Sequence, residues 1–287
     1  MMKTLLEIIP PPRDWDPDRL DRWVRRTTAV LARFEGLVLN IPEVVSEGRQ
    51  SPRVIGYREK WSPEAFAGFV QRRLPDAPVI LNKIVVRVPR PRLLRWFDDR
   101  VAEVHTRFVL VGGEEGVDYP GPTVCAAAEM LRARHPAIEI GGITIFTRPG
   151  ESARIQQKID AGITFFVSQI AFETANLTQV LFELKQQLGI PAVPAIFVSL
   201  APARRLRDIA FMQWLGVEFP SAILAWLRDD EPTLPLRSFL ILDRLLGEIR
   251  ALASHGNLGI NLEHVMLANL DMTVEFLHRL HLPPAPD

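Results

Sequence analysis

The sequence predicts an α/β chain folded as one (β/α)8 TIM barrel, with extra helices before the last strand. Three observations lead there. Apolar strand-like runs recur eight times, and amphipathic segments separate them. A chain of 287 residues with 47% hydrophobic content can bury one full barrel core, and suits that better than two small domains. Strands alternating with helices imply parallel crossovers, and eight such units in a chain of this size point to closure.

The expected strands are Leu5 to Ile9, Leu37 to Ile41, Val79 to Val86, Phe108 to Val111, Ile138 to Phe146, Ile163 to Val167, Val193 to Val198 and Val265 to Ala268. Asp16-Pro17 and Ser62-Pro63 read as helix starts, because a capping oxygen followed by proline suits the first turn. The last connection is longer, with helical runs Pro220 to Arg228 and Leu236 to Ala253. The polar loop Ser46 to Ser62, with Gly48, Pro52 and Gly56, is either a lid over the barrel rim or an inert surface excursion. The domain is expected over residues 1–282, with a disordered tail at 283–287 built on Pro283-Pro284-Ala285-Pro286.

Lys+Arg and Asp+Glu are equal at 34 each, so no net field draws the chain to nucleic acid or to an anionic membrane. No stretch has the apolar length needed to span a bilayer. The N-terminus shows no signal-peptide pattern, and the single Cys125 allows no internal disulfide, so a cytoplasmic location is expected. Histidines at 105, 135, 255, 264, 278 and 281 make no metal-type pairing at a strand end, and no metal is expected.

The most informative stretch is Arg154 to Gln169, RIQQKIDAGITFFVSQ. Ile155 and Ile159 share a helical face, Gly162 can take the left-handed conformation that ends a helix, and Phe165 to Val167 read as a buried strand. Ligand sites of parallel barrels collect at the C-terminal strand ends, so Gln169 either meets a bound molecule or caps the next helix. Glu7 lies within an apolar strand, where burial raises a carboxyl pKa. It is therefore either a general acid near neutral pH or a structural partner of an arginine. The fourth strand ends in Gly112-Gly113-Glu114, glycines that let backbone N–H groups approach a ligand closely.

Two separate motifs, in the correct order, carry a family resemblance. Lys158-Ile159-Asp160-Ala161-Gly162, followed by a strand ending Ser168-Gln169, resembles the K-V-D-A-G and T-Q signature of the methylenetetrahydrofolate reductase family. Glu7-Ile8-Ile9-Pro10-Pro11 resembles its E-F-F-P-P, whose glutamate is the general acid. The resemblance implies reduction of 5,10-methylenetetrahydrofolate to 5-methyltetrahydrofolate, with hydride passing from NAD(P)H through FAD. Gly112-Gly113-Glu114 stands where the family has R-G-D, so a carboxylate is kept and the guanidinium is lost. Glu151 and Lys158 fall where the family has an acid and a lysine that contact the dinucleotide. Arg148 and the Gly112-Gly113 backbone are further candidate contacts to a cofactor.

The chain lacks the family's Y-P-E and H-P-E loop after strand five and its histidine after A-P in strand three. His264 to Leu270 resembles H-F-Y-T-L-N-R, with Leu270 in place of the arginine. Asn269 is either a ligand contact or a helix cap. The implied site comprises Glu7 as acid, Glu114, Gln169 and Asn269 toward the pterin, and Gly112, Gly113, Arg148, Glu151 and Lys158 toward the cofactor. Three alternatives stand beside the flavoprotein reductase: a reductase taking hydride directly from nicotinamide, a folate-binding methyltransferase, and a silent partner subunit of another enzyme. A homo-oligomer is also open.

Overall fold

A computed structural model describes residues 2–46, 53–114, 116–189, 193–264 and 267–281. Eight strands pair in parallel and in chain order, and the last pairs with the first to close the barrel: β1 (Thr4–Ile8), β2 (Val38–Ile41), β3 (Val79–Ile84), β4 (Arg107–Val111), β5 (Glu139–Thr144), β6 (Phe165–Ile170), β7 (Ala195–Leu200) and β8 (Leu258–His264). The outer layer is formed by α1 (Pro17–Arg33), α2 (Pro63–Gln71), α3 (Arg90–Ala102), α4 (Val124–Arg134), α5 (Glu151–Asp160), α6 (Ala175–Leu188), α7 (Leu206–Trp214), α8 (Ser221–Asp229), α9 (Leu234–Leu252) and α10 (Leu270–His281). The extra helices α8 and α9 lie before β8, where the long connection was expected. The 283–287 tail and part of the 46–62 loop fall outside the described residues.

The helix starts follow local chemistry. Asp16 accepts the Arg19 N–H at 2.8 Å and Ser62 accepts the Ala65 N–H at 3.4 Å, each with proline in the first turn. Gly162, at φ +98°, ends α5 and turns the chain into β6.

One expectation is corrected. The eighth strand was expected at Val265 to Ala268, whereas β8 occupies Leu258–His264 and Leu267–Asn269 form a 3-10 turn. In Leu258-Gly-Ile-Asn-Leu-Glu-His the apolar residues alternate with glycine, asparagine and glutamate. A strand whose inner face lines a polar mouth has this pattern rather than an unbroken apolar run. β6 likewise runs on past Val167 to Ile170, through a register shift between these two residues.

Pleating sends alternate residues to opposite sides of the barrel wall. Leu5, Ile80, Val109, Phe165, Val167 and Phe197 form an inner cluster, while Leu6, Leu39, Leu81, Phe166 and Ile260 pack outward against the helices. Toward the N-terminal end the interior is closed by rings seated against glycines. A Cβ on Gly141 would lie 2.4 Å from the Phe165 ring, and one on Gly259 would lie 2.6 Å from the Phe197 ring and 2.8 Å from the Lys3 carbonyl oxygen. Gly259→Ala is therefore expected to destabilise by about 1–3 kcal/mol through overpacking. Gly68→Ala, in α2 with its nearest atom at 3.8 Å, should gain about 0.5–1 kcal/mol. Chemical unfolding of the two variants checks both signs.

Candidate functional site

The same alternation that places Leu5 and Ile80 inside puts Glu7, Asn40, Asn82, Ser199, Asn261 and Glu263 one layer nearer the C-terminal end, also inside. The barrel interior is thus apolar below and polar above. Glu7 is in register with Asn40 on one side and with Glu263 on the other, and Ser199 is in register with Asn261. Asn40 donates to Glu7 Oε2 at 3.0 Å. The Asn261 amide nitrogen reaches the Ser199 hydroxyl at 2.9 Å, Glu7 Oε2 at 3.4 Å and Glu263 Oε1 at 3.5 Å. The amide oxygens of Asn40 and Asn82 are buried and, among the described residues, have no hydrogen-bond partner.

Both carboxyls touch a cavity of 180 Å3 at the C-terminal mouth, which also has Glu43, Arg53, Phe211 and Trp214 in its wall. Each keeps an edge on this cavity and is enclosed by protein elsewhere. Burial pushes the Glu7 carboxyl up to about 7, against a smaller lowering from the Asn261 hydrogen bond. Glu263 is raised well above the usual carboxylate range by burial and then by the charge of Glu7, with the Ser199 hydroxyl opposing.

The rim around this pair is held by other groups. Glu43 accepts from Lys83 at 2.5 Å and from the Ile84 N–H at 2.6 Å, and the Lys83 ammonium lies 5.0 Å from the Trp96 ring centre. Arg53, from the loop after β2, sits over the rings of Trp214, Phe211 and Tyr57 at 5.0, 5.4 and 5.4 Å.

A larger cavity of 660 Å3 opens at the opposite end of the barrel, lined by Lys3, Arg107, Arg132 and the rings of Phe165 and Phe197. Size alone would favour it. Most of its polar groups, however, are committed to the scaffold. Arg132 donates to the carbonyls of Pro136, Ile138 and Gly162, Thr164 to that of Ile140, and Arg107 pairs with Glu139. The site is assigned to the C-terminal mouth, where the raised carboxyls of Glu7 and Glu263 face the cavity.

The residues singled out from the sequence are dispersed. Glu7 lies at the centre of the mouth. Gln169 is beside it: its Nε2 donates to the Leu215 carbonyl at 3.4 Å, its Oε1 accepts the Ile170 N–H at 3.1 Å, and it lines a separate 30 Å3 cavity with Phe146 and Phe172. Leu215 also lines the Glu7 cavity, so Gln169 is one backbone group away from it. Glu114 is exposed beyond β4, its N–H donating to the Tyr119 hydroxyl at 3.1 Å. Asn269 is buried, donating to Asp208 at 3.0 Å and to the Pro202 carbonyl at 3.3 Å.

Glu151 and Lys158 are turned inward. Glu151 accepts from the Thr144 hydroxyl at 2.9 Å and the Ile145 N–H at 3.1 Å, while Lys158 donates to the Ile143 carbonyl at 2.7 Å and lies 3.9 Å from Glu151. Gly113 carries the ring of Tyr119 where a side chain would be, Gly112 faces Val124, and Arg148 is exposed. Two of the five proposed cofactor contacts are thus already used to fasten α5 to β5, and the Tyr119 ring lies against one face of Gly113. This set as placed does not fit a flavin dinucleotide, and no chemical step below is routed through one. Among the described residues, no group of three or more His, Cys, Asp or Glu side chains is placed to hold a metal, and no helix is long and apolar enough to cross a membrane.

Asn40, Asn82, Ser199, Asn261 and Glu263 were missed in the sequence. The legible signal was a polar residue flanked by apolar ones in Leu39-Asn40-Ile41, Val198-Ser199-Leu200 and Ile260-Asn261-Leu262.

No protein-family model matches the sequence, and neither does any curated protein. Among solved structures, an uncharacterized Clostridium thermocellum protein that binds two copies of 5-methyl-5,6,7,8-tetrahydrofolic acid is similar, with a TM-score of 0.79 at 17% identity over 96% of this chain and 94% of that one. Plasmodium falciparum HPPK-DHPS aligns over 100% of this chain and 48% of that one at 10% identity, with a TM-score of 0.48 that is too low to carry an argument. At these identities the likeness shows the barrel fold.

The Asn269 geometry generates a test. Asp208 also accepts the Arg204 and Arg205 N–H groups at 2.8 and 3.2 Å, so Asn269→Ala removes one donor from a buried carboxylate. A loss of about 1–3 kcal/mol in unfolding free energy is expected, measured by denaturant titration.

Proposed function

We propose that the protein binds a reduced folate or related pterin at the C-terminal mouth and reduces 5,10-methylenetetrahydrofolate to 5-methyltetrahydrofolate, with Glu7 as the general acid and NAD(P)H as the hydride source. The observation that carries this reading is the Glu7 carboxyl itself. It is held inside an amide-lined mouth with its pKa pushed up to about 7, so it retains a proton to give near neutral pH. A further feature supports it: the similar Clostridium thermocellum barrel binds a methylated tetrahydrofolate. At 180 Å3 the cavity falls below the ~300–1,000 Å3 typical of a whole drug-sized ligand. It therefore takes the bicyclic head and leaves the tail outside.

In this mechanism the Glu7 proton passes to the ring nitrogen that leaves carbon as the five-membered ring opens. The resulting iminium carbon accepts hydride and becomes the methyl group. Asn40 and Asn261 hold the Glu7 carboxyl in place throughout. In the family that the sequence resembles, FAD carries this hydride, and the residues that would hold it do not fit it here. A second reading, in which nicotinamide delivers hydride directly, is favoured by the inward-facing Glu151 and Lys158 and by Tyr119 over Gly113. The absorbance spectrum of the purified protein separates the two, since only the first gives a flavin band.

Glu7→Gln keeps the shape and removes the proton. Turnover should fall by about 10²–10⁴-fold, while affinity for 5-methyltetrahydrofolate stays within a few-fold by calorimetric titration. Because the active form is the protonated acid, wild-type turnover should decline as pH rises through about 7. An unchanged rate in the variant would remove Glu7 from the acid role.

A further inference from the structure

Glu263 was not anticipated by any motif, yet it is in register with Glu7 on the neighbouring strand, and both side chains face the same cavity. The flanking residues Leu6, Ile8, Leu262 and His264 are buried on the other side of the wall, so neither carboxyl can leave the mouth without breaking the pleat. One amide nitrogen, that of Asn261, lies within 3.5 Å of an oxygen of each.

The other groups that face the pair are largely neutral. Asn40 on β2, Asn82 on β3 and Ser199 on β7 carry no charge, and α7 presents Phe211 and Trp214. Glu43 is matched by Lys83 at 2.5 Å. Arg53, the cation in the cavity wall, has its guanidinium over the Trp214, Phe211 and Tyr57 rings. Two adjacent carboxylates in so enclosed a place repel one another too strongly to ionise together near neutral pH.

We propose that Glu263 is a positioning residue for the reaction, forming with Glu7 a carboxyl pair across the seam between β8 and β1 in which Glu263 holds its proton while Glu7 gives and regains its own. This inference rests on the reading of Glu7 as the acid and adds a neutral partner, beside which Glu7 can ionise without facing a second charge. Once Glu7 has given its proton, its charge binds the Glu263 proton more firmly, and burial of Glu7 drives uptake of another from solvent, which resets the site. Arg53 opposes the pair by favouring ionisation, and its stacking on three rings keeps that influence at the cavity wall.

The test uses the ligand-free protein, so it is independent of folate activity. Infrared difference spectra across the pH range report the protonated carboxyl band of wild type, Glu263→Gln, Glu7→Gln and the double variant, which identifies the signal by its loss. In Glu7→Gln the Glu263 midpoint should fall by about one pH unit or more, a tenfold or greater change in proton affinity. In Glu263→Gln the Glu7 midpoint should stay close to that of wild type, because Glu7 titrates beside a neutral partner in both proteins. Glu7→Asp, which keeps the charge, should leave the Glu263 midpoint close to that of wild type.

If reduction is detected, the alkaline limb of the Glu263→Gln rate profile should stay near that of wild type. An unmoved Glu263 midpoint in Glu7→Gln would overturn the pair, whatever the turnover. A moved midpoint without any folate turnover would sustain the pair and overturn the proposed reaction. If Glu7→Gln does not fold, Glu7→Ala makes the same measurement.

Discussion

Closure of a parallel eight-stranded sheet obliges every second residue of every strand to face one narrow interior, and most of this molecule follows from how that interior is filled. The lower half is occupied by Leu5, Ile80, Val109, Phe165 and Phe197, with Gly141 and Gly259 leaving room for the rings. The upper half receives asparagines, a serine and two glutamates. Because β1 and β8 pair in register from Thr4 with Ile260 to Ile8 with His264, the two glutamates cannot avoid one another. Burying them is costly, and the amides of Asn40 and Asn261 offset only part of that cost. An interior packed for stability alone would place aliphatic side chains here. The polar layer therefore reads as a site carried by a scaffold that is secured elsewhere.

That security comes from buried polar groups of a different kind, which finish backbone groups at the strand ends. Glu151 reaches from α5 to Thr144 and the Ile145 N–H, and Lys158 returns from the same helix to the Ile143 carbonyl. Glu43 links the end of β2 to Lys83 and the Ile84 N–H of β3. Asp208 at the start of α7 gathers two backbone N–H groups and the Asn269 amide, joining α7 to the turn before α10. These groups are held by partners from the chain, although Glu151 Oε2 is buried without one.

The same distinction governs what the sequence could disclose. Barrel class, seven of the eight strand positions and the two capped helix starts are legible because apolar periodicity and capping are local properties of a few residues. The eighth strand escaped because its inward residues are polar. Gly259, Asn261 and Glu263 look like loop residues until the interior they line is known to be polar. Glu7 stood out as a charge inside an apolar run. Its partner did not, because pairing between β1 and β8 joins residues 256 positions apart and no local pattern records it. Glu151 and Lys158 show the converse. Their spacing identifies a helix that meets a strand, but whether such groups face a ligand or a backbone carbonyl depends on which neighbours already need a donor. The shift in register within β6 likewise takes Gln169 toward Leu215, an outcome that a strict period of two does not anticipate.

The last step connects the size of the mouth to its chemistry. The Glu7 and Glu263 carboxyls each keep one edge on a 180 Å3 cavity, and this edge is their remaining contact with solvent. A flat, neutral ring seated there removes that contact and strengthens the cause that already dominates their titration, which is burial. Binding and protonation are therefore linked with a definite sign: a neutral ligand prefers the protonated pair, and the protonated pair prefers a neutral ligand. Arg53 works the other way, since a ligand that displaced it from the Trp214 and Phe211 rings toward the carboxyls would favour the ionised form. A site built in this manner holds its proton most firmly while a neutral substrate lies over it. In the proposed reaction the proton passes to a nitrogen whose basicity rises as its own bond to carbon breaks, which is the demand that ring opening makes of an acid.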